Sequence, residues 1–281
     1  MGIRFTKMHG CANDYIYIDC IKEEINNPEE LAIKMSRRHF SVGSDGLVLI
    51  CKSSVADFKM RMFNLDGSEG NMCGNAIRCV AKYVYDEKYT TKDVITIETK
   101  SGIKELHLYL DSNNLVSTVK VDMGRATFEP SQIPLSVDKR YINTKCHIND
   151  NFYDITAVSM GNPHCVIYMN NINSLDLDKI GPSFENNPLF PTKVNTEFIE
   201  IVDKTHLNMR VYERGSGETY ACGTGACASV AASCINGYSP FNEIIYVNLI
   251  GGTLEITCDK DFNITMKGPA KRVFDGVYYE D

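Results

Sequence analysis

The chain has 281 residues, 43% hydrophobic and 23% charged, the make-up of a globular protein with a core to bury as one large domain or two ordinary ones, which argues against disorder. A net charge of −7 with no Lys/Arg cluster interleaved with aromatics argues against nucleic acid as a partner, and no leader-like or membrane-spanning apolar run occurs, so a cytoplasmic protein without a membrane partner is expected. Its 11 cysteines, an odd number in a chain without secretory features, argue against a disulfide framework and for reduced thiols.

Along the chain, apolar runs punctuated by Gly, Asn and Asp predict a strand at 15–19, a helix at 28–38 with Pro28 in its first turn, and strands at 47–51 and 59–63. A helix follows at 74–85, then strands at 94–98, 105–110 and 116–121. A boundary is expected near 121–134, where Met123-Gly124-Arg125 leads into a proline-containing segment. Beyond it come strands at 153–158, 164–169, 196–202 and 207–211, a helix at 223–235, and strands at 244–249, 254–257 and 262–267. The helices at 74–85 and 223–235 are built from small apolar residues, Ala76, Val80, Ala81 and Val84 in one and Ala226, Ala228, Val230, Ala231 and Ala232 in the other, as suits a helix wrapped by a sheet on many sides. The expected division is a first half at 1–122 carrying Cys73, a second at 123–267 carrying Cys222, and a tail at 268–281 returning to the first.

Two cysteines sit in near-copies of one local sequence: Cys73 in Met72-Cys73-Gly74-Asn75-Ala76-Ile77-Arg78-Cys79 and Cys222 in Ala221-Cys222-Gly223-Thr224-Gly225-Ala226-Cys227. Cys222 follows Cys73 by 149 residues, and Asn162 in Gly161-Asn162-Pro163-His164 follows Asn13 in Gly10-Cys11-Ala12-Asn13 by the same 149, which points to an internal duplication. Two similar halves facing each other are expected, with one reactive loop-helix junction from each at the cleft between them. At a helix N-terminus the unpaired N–H groups and the positive dipole end lower a thiol's pKa and can cradle a carboxylate. Arg214, eight residues before Cys222, could grip a carboxylate in its fork, with Glu213 beside it, while Asn64 and Asn195 offer amides to an ammonium or carboxylate group. His164, entering a strand beside the repeated asparagine, is either structural or supporting. The absence of any C-x-x-C argues against zinc and against thioredoxin-like exchange, so no metal is expected. Cys11, Cys79 and Cys227 beside the motifs, and Cys20, Cys51, Cys146, Cys165, Cys234 and Cys258 elsewhere, are read as packing residues.

These residues resemble the diaminopimelate epimerase family along almost the whole chain. Phe5-Thr6-Lys7-Met8-His9-Gly10 with Asn13-Asp14-Tyr15 is similar to its N-terminal motif, Cys73-Gly74-Asn75 with Arg78-Cys79 to its first cysteine motif, Gly161-Asn162-Pro163-His164 to its central motif, and Glu213-Arg214-Gly215 through Ala221-Cys222-Gly223-Thr224-Gly225 to its second cysteine motif. The resemblance implies an α/β (α+β) fold of two pseudo-symmetric halves, each a barrel-like, mainly antiparallel sheet around a central helix, and a site without a cofactor. It implies Cys73 and Cys222 as acid/base pair, with amides of Gly74, Asn75, Gly223 and Thr224 on the substrate carboxylate. Asn13, Asn64, Asn162, Asn195, Glu213 and Arg214 would bind substrate, with His164 supporting. The implied reaction takes LL-2,6-diaminopimelate to the meso form for lysine and peptidoglycan synthesis, in a homodimer. Ala12 and Ala76 stand where many members have glycine, and Gly46 where some have a glutamine that reaches the substrate. The alternatives are a related pyridoxal-independent racemase acting on histidine, proline or a lanthionine-type substrate, a non-catalytic amino-acid-binding protein, or a thiol redox sensor.

Overall fold

The computed structural model describes residues 2–280, which divide into two compact units: the described residues of Met1–Asp122 with Lys267–Asp281, and Met123–Met266. The first unit begins with β1 (Ile3–Gly10), β2 (Asn13–Asp19), α1 (Pro28–Ser36), β3 (Gly46–Cys51), β4 (Phe58–Asn64), β5 (Glu69–Gly70), α2 (Gly74–Asp86), β6 (Val94–Thr99) and β7 (Gly102–Leu110). The chain leaves it within β8 (Val116–Arg125). The second unit contains β9 (Thr144–Ile148), β10 (Asn151–Ser159), β11 (Pro163–Tyr168), α3 (Leu177–Glu185), β12 (Asn195–Ile201), β13 (His206–Glu213), β14 (Gly217–Thr219), α4 (Gly223–Ile235), β15 (Ile244–Leu249) and β16 (Gly252–Cys258). The chain leaves it within β17 (Asn263–Pro269) and ends in β18 (Lys271–Tyr278), which pairs antiparallel with β1.

The doubling of the cysteine motif extends to strand register. Parallel β2 and β3 pair Ile16 with Leu47, and 149 residues later parallel β11 and β12 pair Cys165 with Thr196. Leu47 pairs with Phe63 as Thr196 does with Tyr212, and Met62 with Gly70 as Val211 does with Thr219. Side chains alternate faces along a strand, so a one-residue slip in either copy would turn its apolar set outward; the shared register keeps both sets in their cores. The copies part at one hairpin. Gly10 pairs with Asn13 across a two-residue loop, whereas Ser159 pairs with Pro163 across three, which leaves Asn13 in a strand and Asn162 in a loop. The tight first loop puts Cys11 and Ala12 at φ 53° and 65°, a left-handed conformation costly for a residue with a Cβ.

Each helix following a cysteine is enclosed by its own unit's sheet. α2 packs on β1, β2 and β7, and α4 on β10, β11, β12, β15 and β16, so strands far apart in the sheet meet one helix. Along α4, Gly223 and every residue from Gly225 to Cys234 are buried, which accounts for its Ala, Ser and Gly composition: backbone this close to strands on several sides admits no long side chain. Enlarging Ala226 or Ala231 would force the sheet outward, at about 1–3 kcal/mol each.

Several elements differ from the sequence expectation. The first helix ends at Ser36 rather than 38, because Arg37 takes an extended ψ of 108°. β1, β9 and β18 carry no clean apolar alternation, and α3 holds Pro182, which normally ends a helix. Here Asp176 caps α3 by accepting the Lys179 N–H, and Phe184 anchors it in the core beside Phe198. No helix among the described residues is long and apolar enough to cross a membrane.

Candidate active site

Cys73 is the residue immediately before α2, extended at φ −132° and ψ 121°. The first-turn N–H groups of Gly74, Asn75 and Ala76 have no intrahelical carbonyl to meet, which makes this end a natural seat for negative charge. A polar set from β1, β2 and the loop before β3 surrounds it. Asp45 accepts the Asn13 Nδ2 at 2.8 Å and the Asp14 N–H at 3.1 Å. Arg38 reaches both Asp14 and Asp45 at 3.0 Å, and Lys7 pairs with Asp14 and donates to the Gly43 carbonyl. Since a carboxylate only accepts, Asp45 fixes which way the Asn13 amide points: its Oδ1 faces Cys73 Sγ at 3.4 Å and the Asn75 Nδ2 at 3.3 Å. The hydrogen in the first contact is the thiol's own. Behind it, fully buried Arg78 donates to Gly74 O at 3.1 Å, Asn75 Oδ1 at 2.9 Å and Pro269 O at 3.2 Å. Gly10 is required here, because a Cβ would lie 2.9 Å from an Arg78 nitrogen and 3.0 Å from Asn75 O. Tyr15 lies beside Cys73; burial, then the negative charges of Cys73 and Asp45, push its phenol well up, so it keeps its hydrogen.

Cys222 holds the matching place before α4, at φ −118° and ψ 109°, but is only 5% exposed. Its Sγ accepts the Gly225 N–H at 3.3 Å and lies 3.5 Å from Thr224 Oγ1. Thr224 in turn meets Asn162 Nδ2 at 3.4 Å, and Asn162 Oδ1 lies 3.0 Å from His164 Nε2. His164 Nδ1 is 2.7 Å from Glu197 Oε1, and both side chains are fully buried. Glu213, at the end of β13, accepts from Thr219 and faces Cys222; burial raises its carboxyl, with a further push from Glu197. Burial, then Glu213 and Glu197, push the Cys222 thiol well up, while the Thr224 hydroxyl and Gly225 N–H pull it back. Each thiol thus has a built polar surround, that of Cys73 facing an amide oxygen and that of Cys222 a backbone N–H together with the Glu213 carboxyl.

The remaining residues singled out from the sequence are placed as follows. Asn64 is half-buried and closes a hairpin onto Ser68 Oγ at 2.9 Å. The Asn195 amide is occupied at both ends, donating to Pro163 O at 2.9 Å and accepting the Arg214 N–H at 3.0 Å. The Arg214 guanidinium is exposed and rests on Thr192 O at 3.0 Å. Gly46 cannot be exchanged for a longer residue on this backbone, because a Cβ would lie 2.1 Å from Phe63 O. Among the described residues no group of three or more His, Cys, Asp or Glu is placed to hold a metal ion.

The family model for diaminopimelate epimerase matches residues 5–129 and 156–273. The chain is 53% identical over 276 residues to a diaminopimelate epimerase of Acetivibrio thermocellus, covering 98% of both chains. It is 52% identical over 276 residues to one of Methanococcus maripaludis, covering 98% of this chain and 99% of that one. The chain belongs to the diaminopimelate epimerase family. Two solved structures share its fold: a Bacillus anthracis phenazine biosynthesis protein of the PhzF family, at TM-score 0.71 and 18% identity over the whole of both chains, and a probable proline racemase from Agrobacterium radiobacter, at TM-score 0.73 and 12% identity over 99% of this chain and 93% of that one.

Within this diaminopimelate epimerase family member, sequence reasoning missed Asp45, Tyr15, Arg78 and Glu197 as parts of the cysteine surrounds. Glu197 carried the plainest signal. It is a carboxylate in the middle of the Asn195-Thr196-Glu197-Phe198-Ile199 run, which is buried throughout, and a buried charge needs a partner.

Proposed function

We propose that this chain converts LL-2,6-diaminopimelate to meso-diaminopimelate, in lysine and peptidoglycan synthesis, with Cys73 and Cys222 as its acid/base pair and without a cofactor. The observation that carries the reading is the repetition of one device in two register-matched copies: a cysteine at the N-terminus of an enclosed helix, in a chain of the diaminopimelate epimerase family. Inversion at a carbon needs a base on one face and an acid on the other. One cysteine, as thiolate, takes the α-hydrogen as a proton and leaves a carbanion; the other gives its S–H proton to the opposite face. The thiols exchange states in the step, and the reverse reaction restores them. The α-carboxylate is held by the first-turn amides of Gly74, Asn75, Gly223 and Thr224, where the positive dipole ends oppose the charge growing on the carbanion.

Asn13, Asn64, Asn162, Asn195, Glu213 and Arg214 form the proposed substrate-binding set, with His164 supporting. The Arg214 guanidinium, held among the described residues by one carbonyl, would turn to the distal carboxylate at little cost. Asn195 would act through the Arg214 backbone it already holds. The two halves are assigned as 1–122 with 268–281 and as 123–267. A cytoplasmic homodimer completes the reading; sedimentation at micromolar concentration tests the dimer, a monomer mass refuting it.

The deciding experiment incubates the reduced protein with LL-diaminopimelate in deuterium oxide, with histidine and proline in parallel. Deuterium entry at the α-carbon and meso product confined to diaminopimelate are expected, and both are lost in Cys222→Ser. Turnover of another amino acid would retain the chemistry and change the substrate, and no exchange with any of them would refute the reading.

A further inference from the structure

We propose that Glu197 is a positioning residue for Cys222, acting through His164, Asn162 and Thr224 to aim a hydroxyl hydrogen at the cysteine sulfur. This deepens the reading of Cys222 as one member of the acid/base pair and rests on it.

Glu197 is fully buried in β12, and its carboxylate lies against the first turn of α4, where a Cβ on Gly225 would come within 2.6 Å of Oε1. Oε1 meets His164 Nδ1 at 2.7 Å, while Oε2 has no hydrogen-bond partner among the described residues. A carboxylate held so deep, with one partner only, is costly as a structural device and directs its charge at one ring. From that ring, hydrogen-bond sense follows atom by atom. Asn162 Oδ1 can only accept, so Nε2 carries a hydrogen, and a hydrogen also lies between Nδ1 and Oε1. The ring is thereby fixed in place, with Nε2 donating to Asn162 and Nδ1 sharing a hydrogen with the Glu197 carboxyl. With Asn162 Oδ1 engaged, its Nδ2 faces Thr224 Oγ1, which accepts and keeps its own hydrogen free for Cys222 Sγ. The sulfur then receives two donors, Thr224 O–H and Gly225 N–H, an arrangement that suits a thiolate. The first copy lacks this chain: the position matching Glu197 is Val48.

The acidic groups facing the ring and the sulfur are Glu197 on β12 and Glu213 at the end of β13. Two effects of Glu197 on Cys222 therefore compete. Direct repulsion by its charge opposes ionisation of the sulfur, whereas the chain favours it, so replacing the charge separates them by direction.

The test is Glu197→Gln, read by peptide-resolved iodoacetamide alkylation of Cys222 against pH, which reports ionisation without reference to turnover. The midpoint is expected to move to higher pH, and alkylation below the midpoint to slow about tenfold. Thr224→Val, which leaves the buried pair intact, is expected to move the midpoint equally even where Glu197→Gln fails to fold, and the double variant no more than either alone. A midpoint unmoved or moved down in Glu197→Gln, additive effects in the double variant, or an unmoved midpoint in Thr224→Val would each overturn the proposal. The raised midpoints in a protein that epimerises nothing would retain the chain and refute the proposed function.

Discussion

The two cysteine ends share a backbone and differ in almost every polar contact. At Cys73 a carboxylate, Asp45, turns an amide oxygen toward the thiol, so the sulfur donates. At Cys222 the sulfur accepts a backbone N–H, and its neighbouring amide is reached through a hydroxyl. Cys73 is partly open, and Cys222 is buried beside two acidic side chains. Duplication supplies two equivalent frames, but the proposed acid/base pair would work only with its members in different states at the same pH. The comparison teaches that the asymmetry resides in side chains reaching in from neighbouring strands, while register and helix remain common property.

The sharpest way to break the comparison is to remove one thiol at a time. Cys73→Ser and Cys222→Ser are each expected to lower kcat for epimerisation by about 10²–10⁴-fold, measured by conversion of LL to meso substrate, with near-native thermal unfolding. Substantial turnover in one of them would mean that a single end suffices. The next largest effect concerns the helices. Arg78 in α2 corresponds to Cys227 in α4. Arg78→Met strands the Gly74 and Pro269 carbonyls and the Asn75 amide, and urea unfolding is expected to show a loss of about 3 kcal/mol. Cys227→Ala should cost about 1 kcal/mol, and equal losses would deny that the first helix depends on its arginine.

Glu213 gives a pH-dependent contrast. Burial raises its carboxyl, so the folded protein retains the proton above the pH at which the unfolded chain releases it, and that contribution to stability is lost as pH rises through the folded value. Glu213→Gln is therefore expected to melt above the parent at pH 8, with the difference shrinking toward pH 4, while activity falls; a constant difference across pH would refute burial as the cause. The smallest effect lies in the hairpin loops. Ala12→Gly relieves a left-handed residue and should stabilise the protein by about 1 kcal/mol in the same urea assay.

The sequence made the cysteine helices legible, because a run of small apolar residues after a glycine-rich approach has few other uses, and 223–235 coincides with α4. It concealed β1, whose Lys7 looks like a surface residue and is buried through its pairing with Asp14. α3 was hidden by its internal proline. At the candidate site, both thiols and the Asn162 to His164 motif could be read from local sequence. Asp45 and Glu197 could not, because each lies more than 20 residues from the cysteine it serves and reaches it only through strand pairing. The equal spacing of Asn13 and Asn162 also concealed the extra loop residue that separates their settings.

The pairing of β18 with β1 sets an order of events in the cell. On a ribosome, residues 123–266 emerge as one uninterrupted stretch and can complete their unit while the chain is still growing. The first unit, although made earlier, must hold the long side of β1 open until residues 271–278 arrive. A stop codon just before residue 271 would therefore spare the later-made unit and cripple the earlier one, the reverse of the usual polarity of truncation.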